Sequence, residues 1–404
     1  PAPELPMGLP PPPPARLDSV DAYRGLVMFL MMAELLKLAA LSKAVPGNEF
    51  LAFLGHHQSH VEWAGCSLHD LIQPSFSFLV GVSLPYSLAA RRAKGQGAVA
   101  MTLHAFWRAF VLVWIGIILR SLWGPMPDFG FTDTLSQIGL GYGFLFLLGF
   151  RPVRDQWLAV AAILIGYWAL FALWPLPGPD LDRAALGVKP EWFEANGLTG
   201  FAAHWNKNTN PAAAFDLWFL NQFPREKAFE WSRGGYQVLN CLPTLATMTL
   251  GLIAGGVLKS DRPAARKLAW LTAAGAVGLA AGYGLGALGV CPVVKRIWTP
   301  SWVLFSGGWC FLLLAGFYAV TDVAGWKRWA FPLLVVGANS IAAYCMSTSF
   351  IKAELHKMVG RHVGYKTFEL AGAEYAPLLH GAVTLAVLWL ILLWMYRRKV
   401  FIRV

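Results

Sequence analysis

The sequence predicts an all-α protein: a polytopic transmembrane helical bundle of about ten spans, with both termini cytoplasmic. Three observations carry that expectation. Of 404 residues, 56% are hydrophobic and 14% charged, with a mean hydropathy of +0.50, whereas an average soluble domain carries about 25% charged residues. Mostly apolar runs approaching or reaching the roughly 17 to 25 residues that cross a bilayer recur along the whole chain. Cations gather in alternate loops between those runs.

The lead-in, residues 1–16, contains the proline run Pro10 to Pro14 and predicts a stiff, disordered tail. It lacks the charged, apolar and small-residue succession of a cleavable signal, so the first span is expected to direct insertion. Residues 17–404 then read as one membrane domain. Its apolar cores are Gly25 to Leu41, Leu71 to Ala89, Phe106 to Leu122, Leu135 to Phe150 and Trp157 to Trp174. The second half adds Leu239 to Leu258, Leu268 to Leu288, Trp302 to Val320, Phe331 to Phe350 and Leu378 to Tyr396.

Short cationic loops follow every second span: Arg91, Arg92 and Lys94; Arg151 and Arg154; Lys259 to Lys267; Lys327 and Arg328; Arg397 to Lys399. Such loops stay in the cytoplasm. This bias accounts for the formal charge of +11, so no nucleic-acid partner is implied. The histidine-rich segment near His60, the long loop 175–238 and the loop from Lys352 to Pro377 are expected outside. Five cysteines show no CxxC spacing. Cys241, Cys310 and Cys345 read as small apolar residues, and a Cys66–Cys291 disulfide is compatible with an outer location without further support. No internal repeat stands out, which weakens an inverted-repeat transporter.

The segment from His56 to Asp70 holds four histidines and two acids beside the second span. His56 and His60 have the i, i+4 spacing of a zinc pair, but no glutamate follows the first histidine and no cysteine pair assists, so no metal is expected. The other chemistry is acid-base or nucleophilic work by one histidine whose tautomer a carboxylate fixes. His56, His57 and His69 read as interfacial polar residues, whereas His60 has Trp63 and the following helix for company. Asp70 fits a capping box with Ser67 and also fits an orienter of His60. Glu34 and Lys37, at i, i+3 in the first span, are expected to neutralise one another in a cavity-lining position. Arg24, at that span's inner end, suits a headgroup or a ligand phosphate.

LDSVDAYRG (Leu17 to Gly25) and HVEWAGCSLHDLIQPSFSFLVG (His60 to Gly81) resemble the opening of the heparan-α-glucosaminide N-acetyltransferase family, bacterial members above all. LPTLATMTLGLIAG (Leu242 to Gly255), CPVVKRIWTPSWVLFSGG (Cys291 to Gly308) and VGANSIAAY (Val336 to Tyr344) follow in that family's order. The resemblance covers nearly everything after residue 16. It implies a multi-pass enzyme of a bacterial cytoplasmic membrane that takes acetyl-coenzyme A as donor substrate from the cytoplasm. An amino sugar or glycan would receive the acetyl group outside; membrane lipids surround the bundle, and a homodimer is compatible with this arrangement.

The family's histidine matches His60, with Asp70 as its expected orienter and Glu34 as a second polar group. A neutral imidazole can deprotonate an attacking amine or carry the acetyl group itself. Donor contacts are expected at Arg24, Arg91, Arg92, Asn339 and Ser340. Acceptor contacts are expected at Trp63, Lys295, Trp298, Thr299 and Ser301. The chain departs from the family at Glu34, where an asparagine is usual, and at Gly234 to Gln237, where an Asp-Pro-Glu-Gly sequence is usual. The 175–238 loop exceeds the ~12 to 15 residues of structureless connections and should fold over the outer mouth. A secondary transporter or flippase for a sugar-linked substrate, using Glu34, Lys37 and a His60 proton relay, is the rival from a different class.

Overall fold

In the computed structural model, residues 17–178 and 180–402 are described, and the proline-rich segment 1–16 lies outside them. Each of the ten apolar cores contains a helix. They are α1 (Asp18–Met32), α2 (Ile72–Ala93), α3 (Ala98–Ser121), α4 (Thr134–Leu148), α5 (Val153–Ala172), α6 (Cys241–Lys259), α7 (Ala264–Ala287), α8 (Pro300–Phe317), the pair α9 (Phe331–Ala338) and α10 (Ser340–Thr348), and, after α11 (Phe350–Val363) outside the bundle core, α12 (Ala376–Arg397). Among the described residues, eight helical segments are long and apolar enough to span.

Two cores differ from plain spans. α4 has 15 residues and reaches only ~22 Å at 1.5 Å per residue. The ninth core is bent by 68° between α9 and α10. Asn339 sits at the break, where its amide donates to the Val400 carbonyl at 3.0 Å and accepts from the Ile402 N–H at 3.1 Å. Those bonds tie the last described residues to the kink.

Glycines set the central packing. A Cβ on Gly81 of α2 would overlap the Met248 carbonyl of α6, and one on Gly251 would overlap the Phe78 carbonyl. Only bare backbone allows these helices to approach so closely, which is how apolar helices associate where burial from water no longer drives them together. Gly25 and Gly337 bring α1 and α9 together in the same way. α6 lies at the centre, with 83% of its apolar window buried, while α7 with 17% is peripheral.

All five cationic loops fall at one end of the bundle, called here the cationic end; His60 lies at the other, the histidine end. The 175–238 loop closes over the histidine end with two short helices, Pro190–Asn196 and Pro211–Phe219. Trp205, fully buried, accepts the Trp63 indole N–H on its carbonyl at 3.1 Å, and Trp192 donates to Glu62 at 3.2 Å. Trp63, Trp205, Phe171 and Ile297 form one apolar cluster there, so the loop is a folded cap packed onto the end of the bundle.

Candidate active site

Two loops far apart in sequence build the centre. The residues after helix Glu49–His57 run antiparallel to those before α8, joined by the bridge between Ala64 and Val294 and by Gly65 N–H to Val293 O at 2.9 Å. This register delivers Lys295 to His60 and Asp70. Thr299 caps α8 by accepting from Trp302 N–H, and both Thr299 and Ser301 donate to the Pro292 carbonyl, at 2.8 and 2.6 Å. Trp298 donates to Thr247 at 3.2 Å. These three residues are fully buried; they shape the turn that carries Lys295 and have no surface to offer a sugar in this structure.

Asp70 opens α2 through a short turn, His69–Leu71, and fulfils both roles the sequence left open. Its Oδ2 accepts from Ser67 N–H and hydroxyl, each at 3.0 Å, while Ser67 Oγ accepts the Asp70 N–H at 3.3 Å, a reciprocal capping box. Its Oδ1 stands 2.7 Å from His60 Nδ1. Lys295 Nζ lies 3.3 Å from the same oxygen and 3.1 Å from Nδ1. A carboxylate accepts only, so the shorter contact, 2.7 Å to Asp70, favours the proton on Nδ1 and the lone pair on Nε2; the Lys295 ammonium, itself only a donor, then bonds to Oδ1 and stands beside Nδ1 as a charge. The His60 side chain keeps 37% exposure, whereas Asp70 keeps 1%. Burial pushes the His60 pKa below the ordinary imidazole value; the Asp70 hydrogen bond opposes this and the Lys295 ammonium adds to it. Its resting form is therefore a neutral, open base.

Glu34 lies beside this cluster, with different partners from those expected. After α1 the chain tightens into a 3-10 turn, Ala33–Leu36, and Lys37 adopts a left-handed conformation at φ +50°. That break destroys the i, i+3 face on which Lys37 was to meet Glu34. Glu34 pairs instead with His69 Nε2 at 3.2 Å and Lys352 Nζ at 3.3 Å. His69 is buried, and its ring centroid lies 4.5 Å from that of His60. Among the described residues no group of three or more His, Cys, Asp or Glu is placed to hold a metal ion. The five cysteines are free, and burial pushes the Cys66 thiol up to about 12, which removes it as a nucleophile.

A cavity of about 710 Å³ opens at the cationic end, with Arg24, Arg91, Lys94, His104, Arg108 and Ser340 among its walls. Arg24 is also held by Asp21 at 2.9 Å and Ser83 at 2.7 Å. Arg92 lies over the Phe150 ring, 5.5 Å from its centroid, outside these walls. Asn339 serves the kink. Arg108, unremarked in the sequence, donates to the Tyr142 hydroxyl at 3.0 Å, and its Nε is buried with no partner. Its signal was present, since a cation inside an apolar run is costly and points to function.

A second cavity, about 550 Å³, lies at the histidine end with Glu34, Lys37, Trp123, Tyr344, Lys352 and His356 in its walls. His60 is in the wall of neither cavity, and the His69–Glu34 pair links it to the second. The two cavities share α4 and α10: Thr134 and Tyr344 face one, Leu135 and Ile341 the other. Less than one turn of each helix separates them.

No family model matches the chain. Two curated relatives do, both named heparan-alpha-glucosaminide N-acetyltransferase. The Homo sapiens protein is 24% identical over 431 aligned positions, covering 96% of this chain and 60% of the relative. The Mus musculus protein is 25% identical over 371, covering 81% of this chain and 53% of the relative. The chain thus spans about three-fifths or less of the length of these relatives. Along nearly all of its length, and as an all-helical chain with eight apolar helices long enough to span, this chain is similar to proteins named heparan-alpha-glucosaminide N-acetyltransferase.

Proposed function

We propose that this chain is a transmembrane acetyltransferase that moves an acetyl group from acetyl-coenzyme A, held at the cationic end, to the amine of a sugar at the histidine end. The observation that carries this reading is His60, held at Nδ1 by a buried carboxylate with its side chain still partly exposed. Short cationic loops favour the cytoplasm for the donor side. The donor's phosphates suit a cavity walled by Arg91, Lys94 and Arg108, whose unpartnered Nε lacks an acceptor. The near-contact of the two cavities at α4 and α10 suits an extended arm that carries a thioester from one end towards the other.

In direct transfer, the sugar amine attacks the thioester carbonyl while His60 Nε2 takes its proton; the C–N bond forms, the C–S bond breaks, and the thiolate leaves with coenzyme A. In the two-step route, Nε2 itself attacks, the C–S bond breaks to leave an acetyl-imidazole, and the amine then displaces the imidazole. Asp70 stabilises the positive charge that the ring gains in both. Replacing His60 with Ala should abolish transfer in a protein that still inserts and folds, and retained turnover overturns the assignment. Labelled donor without acceptor separates the routes: label retained on His60 supports the two-step path.

A further inference from the structure

We propose that a cavity in the 175–238 cap is a second saccharide subsite that takes an uncharged or amine-bearing pyranose. The cavity has a volume of about 210 Å³ and presents the aromatic side chains of Trp174, Phe229 and Trp231 together with Asn208, Ser232 and Gln237. Aromatic faces beside a few fixed polar groups suit a sugar, whose ring is apolar on its C–H faces and polar at its rim.

Asn208 makes the strongest case for a ligand. It adopts φ +58°, and its amide donates to Leu186 O at 2.9 Å and Ser232 O at 3.1 Å, tying two walls together. Its Oδ1 is buried without a hydrogen bond, in a residue only 7% exposed. Buried acceptors are nearly always satisfied, and a sugar hydroxyl or ammonium supplies the missing donor. Charge narrows the class. Glu230 lines the cavity and no lysine or arginine does, so a sulfate or uronate meets repulsion with no compensating partner, whereas an amine gains attraction.

The segment between Ser232 and Gln237, both in the cavity wall, runs from the subsite towards the histidine cluster. Gly235 lies against the Trp63 ring, and Arg296 donates to Gly234 O at 2.7 Å and to Val61 O at 3.3 Å, next to His60. That the bound ring belongs to the acetyl acceptor rests on the transferase reading; that a ring binds here does not.

The test is calorimetric titration of the full chain in detergent, without acetyl donor, with three disaccharide probes: cellobiose, the glucosamine dimer and a sulfated glucosamine–uronate dimer. Cellobiose and the glucosamine dimer should bind, with the sulfated dimer at least fivefold weaker. Trp231→Ala should weaken the first two at least tenfold. Glu230→Gln, at an exposed position, should narrow the gap for the sulfated dimer by about two- to fivefold, the size of a partly screened charge effect. Equal binding by the native chain and both variants, or preference for the sulfated dimer, overturns the proposal. The titration needs no turnover, so a failed transferase reading leaves its result standing, and a failed titration leaves His60 untouched.

Discussion

Lys295 and His60, 235 positions apart in the chain, stand 3.1 Å from each other at Nζ and Nδ1, with Asp70 bonded to both. An ammonium this close discourages a second positive charge on the imidazole. The consequence is a base whose pKa lies below that of an ordinary imidazole.

The sign of the His60 shift gives the first prediction. Burial lowers its pKa below the ordinary value, so the free enzyme gains the proton on His60 at a pH below the ~6.5 of an unperturbed imidazole. The acid limb of kcat/KM should therefore lie below pH ~6.5. A limb at or above that value contradicts the arrangement.

Lys295→Met tests the ammonium directly. Without it His60 becomes more basic, and the acid limb should move to higher pH, with activity at neutral pH reduced by roughly 10- to 100-fold, at or below the ~10²- to 10⁴-fold span of acid-base contributions. A variant that lost activity only through loosened structure would show a lower rate with an unmoved limb.

The cationic cavity predicts ligand-linked stability. Acetyl-coenzyme A at a hundred times its Kd should stabilise the native chain by about 2.7 kcal/mol, read as a raised unfolding temperature. Reversing charge together at Arg91 and Lys94, both in the cavity wall, should abolish most of that rise and raise the KM for the donor. An ion-gradient-dependent transporter with no donor site would show no specific rise in the native chain.

Asp216 in the cap offers a pH test remote from the histidine. Burial pushes its carboxyl up to about 7, although Val238 N–H donates to both oxygens, at 3.1 and 3.2 Å, and lowers it somewhat. With its amide turned towards the carboxylate, Gln237 donates to Oδ2 at 2.7 Å. A carboxyl whose folded pKa exceeds the unfolded ~3.9 binds more protons when folded, so its contribution is present at low pH and is lost as pH rises through about 7. Cap stability, followed by hydrogen exchange across 200–240, should fall over that range in the native chain. Asp216→Asn should flatten the fall and leave the cap more protected at pH 8.

Much of this was legible in the chain, for identifiable reasons. The apolar cores located all ten helical segments because hydrocarbon imposes length and composition together. Hydropathy has no direction, however, so it did not show the 68° bend at Asn339, nor that the helix after Met32 tightens and leaves Glu34 to His69 and Lys352. Ser67 and Asp70 were legible because a capping box is local, whereas Lys295 reaches His60 only through the Ala64–Val294 pairing, which no spacing records. Lys352 carries no local signal because its partner Glu34 lies far away in sequence, whereas Arg108 is marked in the chain as a cation inside an apolar run.

The double use of the Asp70 carboxylate has a consequence for how this protein can vary. One oxygen winds the first turn of a membrane span, and the other aims the ring beside it, so a change at this position disturbs insertion geometry and chemistry in a single stroke. On the proposed transferase reading, drift that spares the fold but retires the reaction is harder at residue 70 than at His60, whose side chain remains partly exposed.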